Sequence, residues 1–204
     1  MTKEEIISKA IAQNLIKIPG QVRGVAFKTD AEYILKEKIE EDLKKLETEL
    51  EKLGYPIKYK EIQTMSFYPI GLRLISLLLI KKIFNFDDKK INDIGFRATK
   101  KSLIIKLFIQ YFLSLRRVFF DEAPKIWQKH YTIGKLIPTE LNEERKYGIL
   151  RLENFNLHPL YCCYLTGYFS GIGHMIIKSP KITVEEIKCV FRGDDCHEFL
   201  IKWE

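Results

Sequence analysis

The chain has 204 residues, of which 46% are hydrophobic and 30% charged, and its formal net charge is +7. This composition is ordinary for a globular domain and excludes a disordered chain. The basic charge is spread among glutamates with no aromatic-basic cluster, a pattern typical of solvated helix faces, so we expect no nucleic-acid partner.

The N-terminus and the cysteines indicate the compartment. The first residues, "MTKEEIISKAIAQNL", are acidic and polar, unlike a secretory signal peptide. The most apolar run, Leu74 to Ile80, is too short to span a bilayer. The 4 cysteines all follow residue 160 and do not resemble a disulfide scaffold. We therefore expect a cytoplasmic protein with no membrane span.

The first third of the chain is helical in pattern. Residues 1–16 are a candidate for a short amphipathic helix. Asp30 is then the expected N-cap of a long helix that ends at Gly54. Apolar residues recur along this stretch at steps of three and four: Leu35, Ile39, Leu43, Leu46, Leu50 and Leu53. One stripe of this helix should be buried.

The middle of the chain is more apolar. Residues 68–86 and 100–120 are apolar nearly all round, as expected of helices in the centre of a domain. Asp87 or Asp88 is a plausible helix start between them. Residues 121–131 predict a short helix with Pro124 in its first turn.

The last third predicts a sheet crossed by one helix. Residues 134–142 and 147–157 resemble strands, with Ile149, Leu150 and Leu152 near the core. A helix is expected over residues 158–177. Residues 182–191 and 196–203 then form a hairpin about "RGDD".

These elements predict an α+β fold, in which a helical N-terminal half packs on a small antiparallel sheet with a crossing helix. We expect a helical region over residues 1–60 and a ligand-binding domain over residues 61–204. The two regions should be integrated as one domain.

The hairpin concentrates metal-ligand residue types. Glu186, Cys189 and Cys196 lie in or beside it, and Cys162 and Cys163 lie on the preceding helix. Zinc accepts thiolate, imidazole and carboxylate ligands in a closed tetrahedron. Spacing alone is a moderate signal because no CxxC pair occurs, and small buried cysteines are often inert.

The register of the hairpin leaves two alternatives. A two-residue turn would place Phe191 opposite Cys196, and Cys189 on the face of Cys196. A three-residue turn would place Phe191 opposite His197, and Cys189 on the face of that histidine. Glu186 and Cys189 are three residues apart, so they can share an ion only if a bulge or the strand entry intervenes.

Two sequence features carry a resemblance to a known family. "CCYLTGYFSG" places a cysteine shortly before Gly-Tyr-x-x-Gly, and "EEIKCVFRGDDCHEF" is similar to an E-x-x-C-x-x-x-G-D…C-x-F ending. The last 50 or so residues therefore resemble the 4-vinyl reductase domain family, which includes the aromatic-sensing domains of XylR-like activators. That family is related in fold to haem–nitric-oxide-binding domains and to TRAPP small subunits.

The resemblance implies a zinc site and a ligand cavity. Zinc ligands would be Cys162, Glu186, Cys189 and either Cys196 or His197. Cys162 is preferred to Cys163 because it stands five residues before Gly167. With four protein ligands such a metal would be structural. An apolar small molecule would lie between helices and sheet, lined by Trp127, Tyr131, Phe155, Tyr164 and Tyr168.

The resemblance leaves the function open among three classes. The leading hypothesis is a sensor-like small-molecule-binding domain, which would act as a homodimer or through a partner. The alternatives are an enzyme or accessory protein in tetrapyrrole metabolism and a dimeric protein-interaction scaffold. We expect no catalytic residues, because the chain has no nucleophile elbow, P-loop, GxGxxG or HExxH motif.

Overall fold

The computed structural model describes residues 7–101 and 114–204. The chain divides into two compact units, residues 1–87 and 88–204. Among the described residues, no helix combines the length and the apolar character that crossing a bilayer requires.

The first unit is mainly helical. Its elements are α1 (Lys9–Leu15), β1 (Gln21–Arg23), α2 (Val25–Glu37), α3 (Glu40–Leu53), β2 (Phe67–Pro69) and α4 (Ile70–Ile83). Strands β1 and β2 pair antiparallel. Helix α4 is apolar on nearly every side and largely buried, as its sequence predicts.

The predicted continuous helix from Asp30 to Gly54 is wrong, because the backbone at Lys38 and Ile39 is extended and separates α2 from α3. The first turn of α3 carries Glu40, Glu41 and Asp42, and acidic side chains stabilise a helix N-terminus. The C-terminal stop is confirmed: Gly54 adopts a left-handed conformation with φ of 90°.

Asp30 is an interior residue of α2 rather than an N-cap. Its carboxylate accepts two hydrogen bonds of 3.1 Å from the Arg73 guanidinium on α4, and both side chains are fully buried. Burial raises the pKa of Asp30, and the adjacent Arg73 opposes that rise. The charged residue in the centre of α4 is thus paired within the core.

The second unit combines helices with a sheet. Its elements are α5 (Asp88–Lys101), α6 (Leu115–Arg117), a π-helical turn (Val118–Glu122), α7 (Ala123–His130), β3 (Lys135–Asn142), β4 (Tyr147–Glu153), α8 (Leu160–Ile176), β5 (Ile182–Lys188) and β6 (His197–Trp203). Most of the helix predicted over residues 100–120 lies outside the described residues. Pro124 does lie in the first turn of α7, as predicted.

The sheet has the strand order β3-β4-β6-β5, and every neighbouring pair is antiparallel. Leu150 lies opposite Phe199 and Leu152 opposite His197, and these four side chains are buried. Ile149, which was predicted to lie near the core with Leu150, is only half-buried. The predicted α+β class with an antiparallel sheet and a packed helix, α8, is confirmed.

Helices α8 and α5 approach each other at backbone contact distance. A Cβ atom on Gly167 would lie 1.9 Å from the Asn92 carbonyl oxygen, and one on Gly95 would lie 2.0 Å from the Tyr164 carbonyl oxygen. Only glycine fits at these two positions, which fixes the location of α8 within the unit.

Candidate metal centre and apolar cavity

Four metal-ligand side chains converge where α8 begins and the β5–β6 hairpin turns. Cys162 lies in the first turn of α8, Glu186 in β5, Cys189 directly after β5, and His197 at the start of β6. One ligand atom from each lies within 4.8 Å of every other. Three separate elements therefore contribute to one compact group.

A β-bulge brings two of these residues to the same side of the hairpin. Glu186 pairs with Phe199, whereas Lys188 pairs with Glu198, so Ile187 is the extra residue on β5. Successive side chains of a regular strand alternate between faces, and one extra residue reverses the alternation. Residues 186 and 189 thus share a face despite their odd spacing.

The turn of the hairpin differs from both predicted registers. A 3₁₀ turn (Val190–Arg192) and Gly193, with φ of 98°, follow Cys189, so Phe191 lies in the turn and pairs with neither Cys196 nor His197. The Cys189 amide donates a 2.7 Å hydrogen bond to Asp194 Oδ2. The Gly-Asp segment therefore closes a longer turn that fixes the backbone of Cys189.

The two thiols of the group are in direct contact. Cys162 Sγ lies 3.5 Å from Cys189 Sγ. Three effects raise the pKa of Cys162: partial burial is the largest, followed by the Glu186 carboxylate and the neighbouring Cys189 thiol. In the absence of a cation, Cys162 is therefore a protonated thiol at neutral pH.

The other pair is linked by a hydrogen bond. His197 Nδ1 lies 2.8 Å from Glu186 Oε1. The second ring nitrogen, Nε2, is buried and has no hydrogen-bond partner among the described residues. A buried polar atom without a partner is uncommon and requires an explanation, such as an ion.

The donor set fits zinc. Two sulfur atoms bonded to zinc at about 2.3 Å in a tetrahedron lie about 3.8 Å apart. The thiol separation of 3.5 Å is close to that edge. Two thiolates with an imidazole and a carboxylate favour zinc over hard cations, which prefer oxygen ligands alone.

Cys196 is not part of this group. Its thiol is buried and donates a hydrogen bond of 3.4 Å to Asp195 Oδ1. Burial is the largest cause that raises the pKa of this thiol. Of the two residues left open for the last ligand position, the structure brings His197 to the other three.

The second unit also contains an apolar cavity with a volume of about 40 Å³. Its described walls come from the segment between α6 and α7, from α8 and from the sheet. The lining includes Phe119, Trp127, Leu150, Tyr168, Phe169 and Ile201.

The predicted ligand-binding aromatic residues divide into two groups. Trp127 and Tyr168 line the cavity. Tyr131 and Phe155 lie behind Trp127, with ring centroids 4.4 and 5.2 Å from its indole, and the Tyr164 ring lies 6.3 Å from that of Tyr168. The second group supports the wall rather than forming it.

Some cavity-lining residues could have been predicted from the sequence but were not. Ile201 and Trp203 line the cavity and lie at the inward-facing alternate positions of β6 that begin with His197 and Phe199. The period of the strand would have identified both. Phe119 belongs to the π-helical turn, which has no comparable sequence signal.

No family model matches the chain, and no curated protein matches it. Solved structures do match. An H-NOX protein from Shewanella oneidensis in the Fe(II)NO ligation state has a TM-score of 0.67 and 15% identity, covering 89% of this chain and 99% of that chain. An unliganded Fe(II) H-NOX mutant from K. algicida has a TM-score of 0.61 and 14% identity, covering 89% and 96%.

A third match is subunit 3 of the trafficking protein particle complex from Naegleria fowleri, with a TM-score of 0.46 and 14% identity, covering 65% of this chain and 92% of that chain. The H-NOX matches show that the chain has an H-NOX-like fold. The expected relation to haem–nitric-oxide-binding folds is thereby confirmed.

Proposed function

We propose that this chain is a sensor-like, small-molecule-binding domain of the 4-vinyl reductase type, with a structural zinc ion in its second unit. The observation that carries the proposal is the convergence of Cys162, Glu186, Cys189 and His197. The family resemblance implied Cys162, Glu186 and Cys189 as ligands, and offered His197 as one choice for the fourth.

The zinc ion would cross-link α8 to the closing hairpin. Four protein ligands leave no open coordination position for water or substrate, so its role would be structural. The thiolates, the imidazole and the carboxylate supply the donors, and Asp194 holds the Cys189 backbone in place. Metal binding of this kind contributes directly to folding free energy.

The apolar cavity limits the ligand in size and polarity. One water needs about 10–15 Å³ of such volume, so the cavity has room for about three waters. Its volume is about 40 Å³ and its lining is almost entirely apolar. An engineered cavity that binds benzene has about 150 Å³, so only a smaller apolar molecule or a single apolar atom fits these limits.

Haem does not fit this cavity. One of the matching solved structures concerns haem redox potential and protein-induced porphyrin distortion. A porphyrin is far larger than a cavity of about 40 Å³. We therefore assign no haem role to the cavity.

The ligand part of the proposal is tested with xenon, a single apolar atom, as the probe. Xenon pressurised over isotope-labelled protein should shift the NMR resonances of Trp127, Phe169 and Ile201, which line the cavity. Ala123→Leu extends a side chain into the same space and should weaken xenon binding at least about ten-fold.

The matched control is Gln128→Leu, which adds the same side chain at an exposed position of α7. Xenon shifts that are absent in the wild type, or that survive unchanged in Ala123→Leu, would contradict the proposed ligand site. Native mass spectrometry of protein taken directly from cells would identify a retained natural ligand.

A further inference from the structure

The metal-ligand group and the apolar cavity are built on the same two elements. Helix α8 carries Cys162 in its first turn and the cavity residue Ile172 ten residues later, about 15 Å along the axis. Strand β6 carries His197 at its start and the cavity residue Trp203 at its end, about 20 Å away. Each element therefore meets the metal site at one end and the cavity at the other.

One buried side chain connects the two sites. The Phe199 ring lies 4.8 Å from that of Phe169, which lines the cavity, and 6.4 Å from the imidazole of His197, with the latter pair stacked at 20°. Phe199 is fully buried. Its ring cannot shift without moving a cavity wall or a metal ligand, because interiors are close-packed.

Resting on the proposed function, we infer that metal binding and ligand binding are positively coupled through α8, β6 and Phe199. The metal holds the first turn of α8 against the start of β6, and this arrangement keeps the cavity open between their other ends. A ligand in the cavity favours the same arrangement and thus the geometry in which the four donors converge. Both sites bias one conformation, which is the physical requirement for coupling.

Coupling of this kind is reciprocal, and that property makes it measurable. If zinc raises the affinity for xenon by some factor, xenon must raise the affinity for zinc by the same factor. Coupling factors between sites in proteins are typically about 5–150. We expect a factor of at least about five here.

The test measures both directions in the full chain. Zinc affinity is determined by competition with a chromophoric chelator, with and without saturating xenon. Xenon affinity is determined by NMR under increasing xenon pressure, for the zinc-loaded and the metal-free protein. Equal increases of at least about five-fold support the inference. Affinities that agree within two-fold in both directions overturn it, while leaving the proposed function intact if both probes bind.

A protein that fails to bind zinc, or fails to bind xenon, would instead contradict the proposed function. If the metal-free protein unfolds, the rate of Co²⁺ release to excess chelator replaces the equilibrium measurement. Xenon should then slow release by at least about five-fold, and identical rates with and without xenon would overturn the coupling.

Phe199→Leu tests the connecting residue. This variant should reduce the coupling factor to below about two while still binding zinc and xenon separately. Phe27→Leu is the matched control, because Phe27 is equally buried but lies in the other unit. A full coupling factor in Phe199→Leu would overturn the assignment of Phe199, and Phe169→Leu provides the same test if Phe199→Leu does not fold.

Discussion

The Sγ atom of Cys162, in the first turn of α8, lies 3.5 Å from the Sγ atom of Cys189, which is 27 residues away at the end of β5. This separation is close to the sulfur–sulfur edge of a tetrahedral zinc site, about 3.8 Å. The contact joins the crossing helix to the closing hairpin at the same place where Glu186 and His197 meet. The predictions on metal binding depend on this contact.

Alanine substitution of either cysteine should abolish zinc binding. Purified protein should contain about one zinc ion per chain by elemental analysis, and Cys162→Ala or Cys189→Ala should contain none. Cys196→Ala is the matched control, since Cys196 is buried but outside the group, and it should retain zinc. Zinc in both cysteine variants would contradict the assigned ligands.

Chelation should lower the melting temperature. A ligand at a thousand times its dissociation constant stabilises a protein by about 4 kcal/mol, and each kcal/mol shifts the Tm of a chain of this size by about 2–4 °C. We therefore expect EDTA to lower the Tm of the wild type by about 8–16 °C, measured by differential scanning calorimetry. The Tm of Cys162→Ala should not respond to EDTA, and an equal response in both proteins would count against a structural metal.

Zinc affinity should rise with pH. The Cys162 thiol has a raised pKa in the metal-free protein, so it retains its proton at neutral pH and the metal must displace that proton. Raising the pH removes the competing proton and strengthens binding, and lowering it weakens binding. Isothermal titration calorimetry of the wild type in two buffers of different ionisation enthalpy should show proton release, and Cys162→Ala should give no heat of zinc binding in either buffer. A pH-independent affinity would contradict this result.

The sequence predicted most members of the four-residue group but not how the hairpin assembles it. The resemblance implied Cys162, Glu186 and Cys189. A bulge or the strand entry was expected between Glu186 and Cys189 if they share an ion, but the position of the bulge at Ile187 could not be predicted, because isoleucine is an ordinary strand residue and nothing in the pattern marks it as extra. The choice of His197 over Cys196 depended on the same register, so it required the structure.

Helix positions were predicted better than helix boundaries. Leu35 and Ile39 continue the apolar spacing into α3, which predicted one long helix. In the structure Ile39 is 61% exposed and lies at the break between α2 and α3. Strands β1 and β2 are three residues each, too short for an alternating pattern to be recognised.

Breaking the buried pair of Asp30 and Arg73 should destabilise the first unit strongly. Removing one partner leaves an uncompensated buried charge, which costs about 3–5 kcal/mol, whereas replacing both by apolar residues costs less. Asp30→Leu should therefore lower the free energy of unfolding by more than Asp30→Leu combined with Arg73→Leu, measured by urea titration. Lys60→Ala, which breaks the exposed pair with Glu40, is the control and should change little. A double variant as unstable as the sum of the two single variants would contradict the coupling of this pair.

Gly167→Ala should destabilise the second unit by forcing α8 away from α5. The added Cβ would lie 1.9 Å from the Asn92 carbonyl oxygen, and backbone cannot yield as a flexible side chain does. Overpacking costs about 1–3 kcal/mol, and we expect the free energy of unfolding to fall by about 3 kcal/mol despite the better helix propensity of alanine. Gly54→Ala is the control, because Gly54 has a positive φ but open space around it, so only about 1–2 kcal/mol should be lost. Urea titration followed by circular dichroism measures both, and a smaller loss in Gly167→Ala than in Gly54→Ala would show that the two helices can separate at little cost.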